Sequence, residues 1–475
     1  MTTPPPECPA HAAGFGAGGA RRLYGAEAEA DPMGVYEKLR AEHGAIAPVL
    51  VHGDLPAWLV LGYRENLEVL RTPSRFSSDS RRWHAFQEGK VPPEHPIAPT
   101  VMWQPLVNFN DGDAQKRLRG AVSRGLSRFN RHGIRRHVTR VTHQLADEFC
   151  AKGRADLVGQ FAELLPVLVL TNLLGLPEQD GPRLAEACRD LMKGTETSLA
   201  SYGYILEALT KLVAEKHASP GYDLASWLIE DEAGLSDDEV VQHLRLVLVA
   251  ANETTANLIS DMIKLVLTDP RFRGNLSGGH MTLPDGLEQV LWDQPPLWVM
   301  PGRYATGPME LGGQHIEEGD MLLLGLAAGN TDPAIRPDLA ASMHGNRSHL
   351  AFGGGPHECP GQDIGRAIAE TGIDVLLGRL PDLNLAVEED ALVRVPSWTS
   401  RHLLELPVEF TPRRPQRDED AEGAAAASRP VAEPEAVPRP APSPVPQQTL
   451  PPQPAFPPRA PRRSWWRVLT GWLRR

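Results

Sequence analysis

Phe352-Gly-Gly-Gly-Pro-His-Glu-Cys359-Pro-Gly361 is the stretch on which the reading of this chain turns. Glycines and prolines surround one cysteine, and a helical segment follows directly. Glycine adopts positive φ at little steric cost and lets backbone approach a flat ligand closely. Amides and a helix N-terminus favour negative charge on a nearby sulfur. The residues therefore predict a cysteine presented as an anionic ligand on a tight turn. The plainer alternative is a buried, inert cysteine in a glycine-rich turn.

The other three cysteines, Cys8, Cys150 and Cys188, lie far apart, with neither a disulfide framework nor zinc-site spacing. The pattern suits a reducing cytoplasm. No stretch reaches the eighteen or so apolar residues of a spanning helix, and no basic start precedes an apolar run, so the expectation is neither secretion nor membrane insertion. At 475 residues the chain can bury a core large enough to enclose a cofactor. A net charge of -12 argues against nucleic-acid binding. That charge is uneven: the residues from Arg413 onward carry +5 and the rest -17.

Residues 1–22 are rich in Pro, Gly and Ala and read as a disordered lead, so the fold is expected to begin near Leu23. A helix is expected over Asp31 to Arg40, then strands over Ile46 to Val51 and Ala57 to Leu61 around a Gly53-Asp54 turn. From about Leu118 to Leu267 the apolar spacing is helical. One helix is well announced: Ser236-x-x-Glu239 forms a capping box, Asp237 and Asp238 suit the positive helix start, and apolar residues run to Leu267. Some thirty residues at 1.5 Å rise span roughly 45 Å, enough to cross the whole body. Strand-like pieces return around Met309 to Leu324 and Leu392 to Phe410. The fold class expected is mainly α with small β-sheets.

The cysteine stretch resembles the cytochrome P-450 pattern Phe-Gly-x-Gly-x-His-x-Cys-x-Gly at every fixed position, and Arg366 extends the match. The central helix adds Ala250-Ala-Asn-Glu253-Thr254-Thr255, similar to the family's Ala/Gly-Gly-x-Asp/Glu-Thr-Thr, with Ala251 where glycine is usual. The resemblance runs from about Leu23 to Phe410. It implies the cytochrome P-450 fold with haem b as cofactor, Cys359 as the iron ligand, and Phe352, Gly353 and His357 in the haem-binding loop. It further implies that Arg303, in Pro301-Gly-Arg-Tyr-Ala-Thr306, and Arg119 bind haem propionates. Gln115 stands where the family has histidine and is expected to donate a hydrogen bond without a charge. Glu253 and Thr254 are the implied proton relay. Taken singly, each has a bland reading: a surface histidine, a strand-edge arginine, an unremarkable Glu-Thr in a helix.

One departure is systematic. Before Gln294-Pro-Pro296 the family carries Glu-x-x-Arg, which joins a third charge in the following meander. Here Gln289 and Trp292 occupy those places, and His344 stands where the meander arginine is expected. Glu288 is one residue, about 100° of helix, out of register and is expected not to substitute. The reading is a core rebuilt without permanent charge. An actinobacterial subgroup of the family, with Gln and Trp at these positions, is similar.

The domain reading is 1–22 lead, 23–412 haem domain, 413–461 Pro/Ala-rich disordered linker and 462–475 basic amphipathic segment. In that last segment Trp465, Leu469, Trp472 and Leu473 share one helical face among arginines, the composition of an interfacial helix on anionic lipid. Docking to an acidic protein and an unstructured basic end remain open. The resemblance implies a monooxygenase acting on a small organic substrate with electrons from a ferredoxin or flavodoxin partner, cytoplasmic or peripheral at the inner membrane surface. The alternative is a haem-binding signalling or interaction protein with little turnover. The mixed stretch Arg81 to Trp103, with Trp83, Phe86, Met102 and Trp103, is expected to contact substrate.

Overall fold

The computed structural model describes residues 20–193, 197–269, 282–343 and 345–416, all within one compact unit. The linker beyond Gln416, the segment 462–475, most of the N-terminal lead and His344 lie outside the described residues.

Asp31 caps helix α1 (Pro32–His43) by accepting the Gly34 N–H at 2.9 Å, with Pro32 at the first helical position. The hairpin follows as β2 (Ile46–Val51) and β3 (Leu55–Val60), paired antiparallel from Ile46↔Val60 to Val51↔Leu55. Helix α2 (Tyr63–Arg71) comes next. Although this hairpin reads as local in sequence, it is part of a larger sheet. Strands β1 (Arg21–Arg22), β4 (Phe76–Ser77), β6 (Val299–Ala305) and β9 (Met321–Gly325) join it in a six-stranded sheet ordered β1-β2-β3-β9-β6-β4. Trp58 pairs with Leu322 across parallel β3 and β9, and its indole N–H donates to buried Asp320 at 2.8 Å. Strands that read as separate small sheets, early and late in the sequence, thus merge into a single sheet in space. Between β6 and β9 lie β7 (Met309–Leu311) and β8 (Gln314–Ile316), a separate hairpin.

The helical bulk comprises α3 (Gly112–Ser127), α4 (Arg131–Asp147), α5 (Leu164–Leu174), α6 (Gly181–Lys193), α7 (Ser198–Ala218), α8 (Leu224–Ile229), the central α9 (Asp237–Thr268), α10 (Leu283–Asp293) and α11 (Gln362–Arg379). The expected capping box is present: Ser236 accepts the Glu239 N–H and Glu239 accepts the Ser236 N–H. The 32 residues of α9 extend about 48 Å. Its first half, with Val240, Leu244 and Leu248, packs into one apolar cluster with α3, α5 and α7. Its second half, with Leu258, Ile259 and Met262, packs into another with α4, α10 and α11. Between the two clusters the helix faces a cavity.

The carboxyl end closes on a three-stranded sheet of β10 (Asn384–Leu385), β13 (Pro407–Glu409) and β5 (Arg154–Asp156); β11 (Arg394–Pro396) and β12 (Arg401–Leu403) form a hairpin before it. The body runs past the expected end at Pro412. Arg413 N–H donates to Cys150 O and Gln416 N–H to Asp147, each at 2.8 Å. At the other end β1 begins two residues before Leu23.

Replacing Ser236 by alanine strands the first amides of α9. A loss of about 1 kcal/mol in denaturant-induced unfolding is expected, with unchanged haem content.

Candidate functional site

Three stretches of backbone shape a cavity of about 330 Å³. On α9 the lining residues are Leu246, Val247, Ala250, Ala251, Thr254 and Thr255, spaced by four so that one helical face turns inward. On α11 and the turn before it they are Cys359, Pro360, Gly361, Ile364, Gly365 and Ile368, again one face. The two helices come close where Gly365 lies: a Cβ built there would stand 3.7 Å from Thr255 Oγ1, ordinary van der Waals contact. Helix α3 supplies Arg119, Val122 and Leu126 at i, i+3 and i+7, a wall with a cation near its start and apolar groups after it. A slot between two helical faces, apolar along one side and cationic at one end, suits a flat amphipathic macrocycle.

The cysteine turn is built as the glycines require. Gly353 and Gly355 have φ of 69° and 65°. At Gly355 a Cβ would lie 2.3 Å from Leu70 O of α2, so backbone packs directly on backbone. Gly353 shapes the turn and is not among the lining residues, whereas Phe352 is. Cys359 N–H donates to Phe352 O at 2.9 Å, closing the loop. Burial pushes the Cys359 thiol up, and this outweighs the Gly361 amide and the Arg119 and Arg366 cations that pull it down. A metal cation bound at the sulfur would favour the thiolate against this burial.

The polar end gathers residues far apart in sequence. Arg303 is 5% exposed and its guanidinium donates to Gly302 O at 2.9 Å; burial pushes that guanidinium down, opposed by Asp111. A buried cation on the cavity wall whose bond goes to a carbonyl is a fitting partner for a carboxylate ligand. His357 Nε2 stands 3.1 Å from Ser78 Oγ and 3.6 Å from Asp111, and burial pushes its imidazole down despite that carboxylate. Asp111 also accepts from Ser77 Oγ at 2.5 Å and Ser78 N–H at 2.9 Å. Ser78 and Asp111 had no assigned role in the sequence, since neither β4 nor its contact with the cysteine turn is legible there. Arg119 lines the cavity and donates to Glu358 O and, at 3.1 Å, to Ser123.

Three expectations shift. Gln115 is buried but not a lining residue: its amide donates to Pro356 O at 2.7 Å, bracing the turn rather than facing a propionate. Glu253 sits about 100° from the inward face of α9. Its carboxyl accepts from Ser400 at 3.3 Å, and burial pushes it up. Thr254 is on the cavity wall, its hydroxyl donating to Ala250 O at 2.8 Å. From the stretch Arg81 to Trp103 only Thr100 is among the lining residues; Trp83 packs near Tyr304, and Trp103 lies under Arg81.

The rebuilt core also differs from expectation, because charge remains in it. Glu288 is 3% exposed and accepts two hydrogen bonds from Arg366, at 2.9 Å each, and one from His349 at 2.9 Å. The register offset that was expected to disqualify Glu288 instead points it at α11. Arg366 stands 4.5 Å over the Phe352 ring.

No protein-family model matches the chain. It is 31% identical over 400 residues to 2-hydroxy-5-methyl-1-naphthoate 7-hydroxylase of Streptomyces carzinostaticus, covering 81% of this chain and 96% of that protein. It is 32% identical over 405 residues to the cytochrome P450 monooxygenase PikC of Streptomyces venezuelae, covering 81% and 92%. The chain belongs to the cytochrome P-450 family. Among solved structures, CYP154C4 from Streptomyces sp. W2061 matches this P-450 with a TM-score of 0.73 at 28% identity, over 80% of this chain and 95% of that one. Its cofactor is haem, and the slot fits it: the thiol on the turn, cations at one end, apolar side chains elsewhere.

For Glu288, burial alone would push the carboxyl up, but hydrogen bonds from His349 and Arg366 outweigh it and hold it below its ordinary 4.5. The pair's stabilisation is therefore complete above that pH and is lost as pH falls below it. Glu288→Ala leaves Arg366 buried without its counter-ion, so a destabilisation of roughly 3–5 kcal/mol is expected, with loss of the wild type's acid-dependent step in thermal unfolding.

Proposed function

We propose that this P-450 is a working monooxygenase that inserts one oxygen atom from O2 into a small, largely apolar organic molecule, using electrons from a separate ferredoxin or flavodoxin. The observation that carries this reading is the Thr254 hydroxyl on the wall of the cavity that also contains Cys359. Haem, when bound, supplies the iron that takes up dioxygen, with electron donation from the thiolate favouring O–O cleavage. Thr254 has lone pairs free to hold a water or proton at the cavity while its own proton is tied to Ala250 O. Glu253, pushed up by burial and bonded to Ser400, is the reserve of protons one residue behind it. Val107, Phe109 and Met300 exclude water, and Thr100 and Asn108 offer a substrate two polar contacts. Relatives are named for hydroxylating a naphthoate, vitamin D3 and 6-deoxyerythronolide B, and an organic molecule is likewise the substrate proposed for this cavity.

Arg119, Gln115 and the cysteine turn tie α3 to the haem site, and α3 also carries Lys116, Arg117 and Arg124. An acidic electron carrier docking here is recognised mainly by charge, so its electron transfer slows as salt rises. The basic segment 462–475 supplies a membrane contact in this proposal, an amphipathic stretch on anionic lipid.

Two measurements test these readings. Thr254→Val, isosteric but without the hydroxyl, is expected to lower product formation roughly 10²-fold while substrate still shifts the haem from low to high spin. Unchanged turnover removes Thr254 from the relay, and absence of any product across a broad compound panel favours a haem-binding protein without turnover. In vesicle co-sedimentation, the full chain is expected to bind anionic vesicles and a chain ending at Gln416 to remain in solution; equal binding sinks the membrane contact.

A further inference from the structure

Arg336 has a side chain only 1% exposed, in the segment that leads from β9 to the cysteine turn. Its Nη1 lies 2.7 Å from Asp293 at the end of α10, and its Nη2 donates to Leu339 O at 2.8 Å. The guanidinium stands 5.9 Å from the Trp292 ring centroid. Trp292 in turn donates its indole N–H to Asn346 O at 2.8 Å, and Gln289 Oε1 accepts the Met343 N–H at 2.8 Å. Gln289 Nε2 donates to the other oxygen of Asp293 at 2.6 Å, so that carboxylate is held from two sides.

Each of these groups has the polarity its place demands. The Gln289 amide must accept at one atom and donate at the other, which a carboxylate cannot do. A glutamate at 289 would set two carboxylates against each other where the amide now bonds Asp293. An arginine at 292 would bring a second cation beside Arg336 and remove the flat ring over which it lies. The residues usual in the family are therefore unsuited to this site, and the charge missing from α10 reappears at Arg336.

We propose that Gln289, Trp292, Asp293 and Arg336 form a clamp that fixes Leu339, Met343 and Asn346 and, through them, keeps Cys359 ligated to the haem iron as a thiolate. Arg336 is its positioning residue. The path is short: Asn346 is three residues before His349, which bonds Glu288, and His349 is three before Phe352, whose carbonyl holds the Cys359 N–H. The clamp rests on the reading of Cys359 as a thiolate ligand.

The test uses the full haem-loaded chain, reduced and under carbon monoxide. It follows the red-shifted Soret band of the thiolate complex as it gives way to the band of the thiolate-free form, at a temperature below the loss of helical circular dichroism. Arg336→Met and Gln289→Glu are expected to convert at least tenfold faster than wild type. Arg336→Lys should fall between, and Gln289→Glu with Trp292→Arg should not restore the wild-type rate. Arg140→Met, which breaks an exposed pair with Glu178 elsewhere, is expected to behave as wild type. Should Arg336→Met accumulate without haem, Trp292→Phe, which removes the indole bond to Asn346, carries the same test. Conversion within twofold of wild type, or only together with helix melting, overturns the clamp. A wild-type protein that never shows the red-shifted band overturns the thiolate reading instead.

Discussion

Beneath the cysteine turn, the Glu288 carboxylate takes both arms of the Arg366 guanidinium in a nearly dry interior, with His349 on the same oxygen. Much of the site hangs on this contact. Neither charge is solvated, so neither tolerates the loss of the other. Glu288 belongs to α10, Arg366 to α11 and His349 to the approach to the turn, so one contact fixes the relative positions of three segments. Phe352 lies against the guanidinium on one side and the cavity on the other. The cysteine turn is thus seated on a charged cluster, and its glycines allow it to be seated closely.

Above that seat the cavity is defined by helix periodicity. Both α9 and α11 turn a face of small and apolar residues toward each other, and the clusters at either end of α9 hold the helix so that the gap between them stays open. The cofactor slot is what remains when two cores are filled and the space between them is not. Its polarity is asymmetric, with Arg119, Arg303 and His357 at one end and leucine and valine elsewhere. Haem has the same asymmetry, carboxylates on one edge and hydrocarbon on the others. Desolvation raises the thiol and lowers the buried Arg303 guanidinium, and a haem held here by Cys359 and Arg303 would offset both through its iron and its propionates.

Local chemistry made much of this legible in the sequence. The capping box placed the start of α9 because caps are hydrogen bonds between residues three apart. The glycine-flanked cysteine was legible as a ligand on a tight turn because the required backbone conformations restrict residue type, and its resemblance to the family pattern pointed to haem. The partnership of Glu288 was not legible. Helical geometry correctly placed it 100° from its neighbour's direction, but whether that direction meets solvent or Arg366 depends on where α11 lies. Gln115 shows the same limit: its donor amide was legible, but that it meets Pro356 O depends on where the cysteine turn lies.

The sequence by itself determined the elements bound to short-range chemistry: the helices with their caps, the β2–β3 hairpin, the cysteine turn and the family. Only the tertiary structure decided which distant residues share a site. It joined the hairpin to β6 and β9 across more than two hundred residues, brought Ser78 and Asp111 to His357, and set Arg336 against Trp292 and Asp293. The physical reason is that backbone propensity and capping act within a few residues, whereas burying a charge requires a partner that only packing can supply.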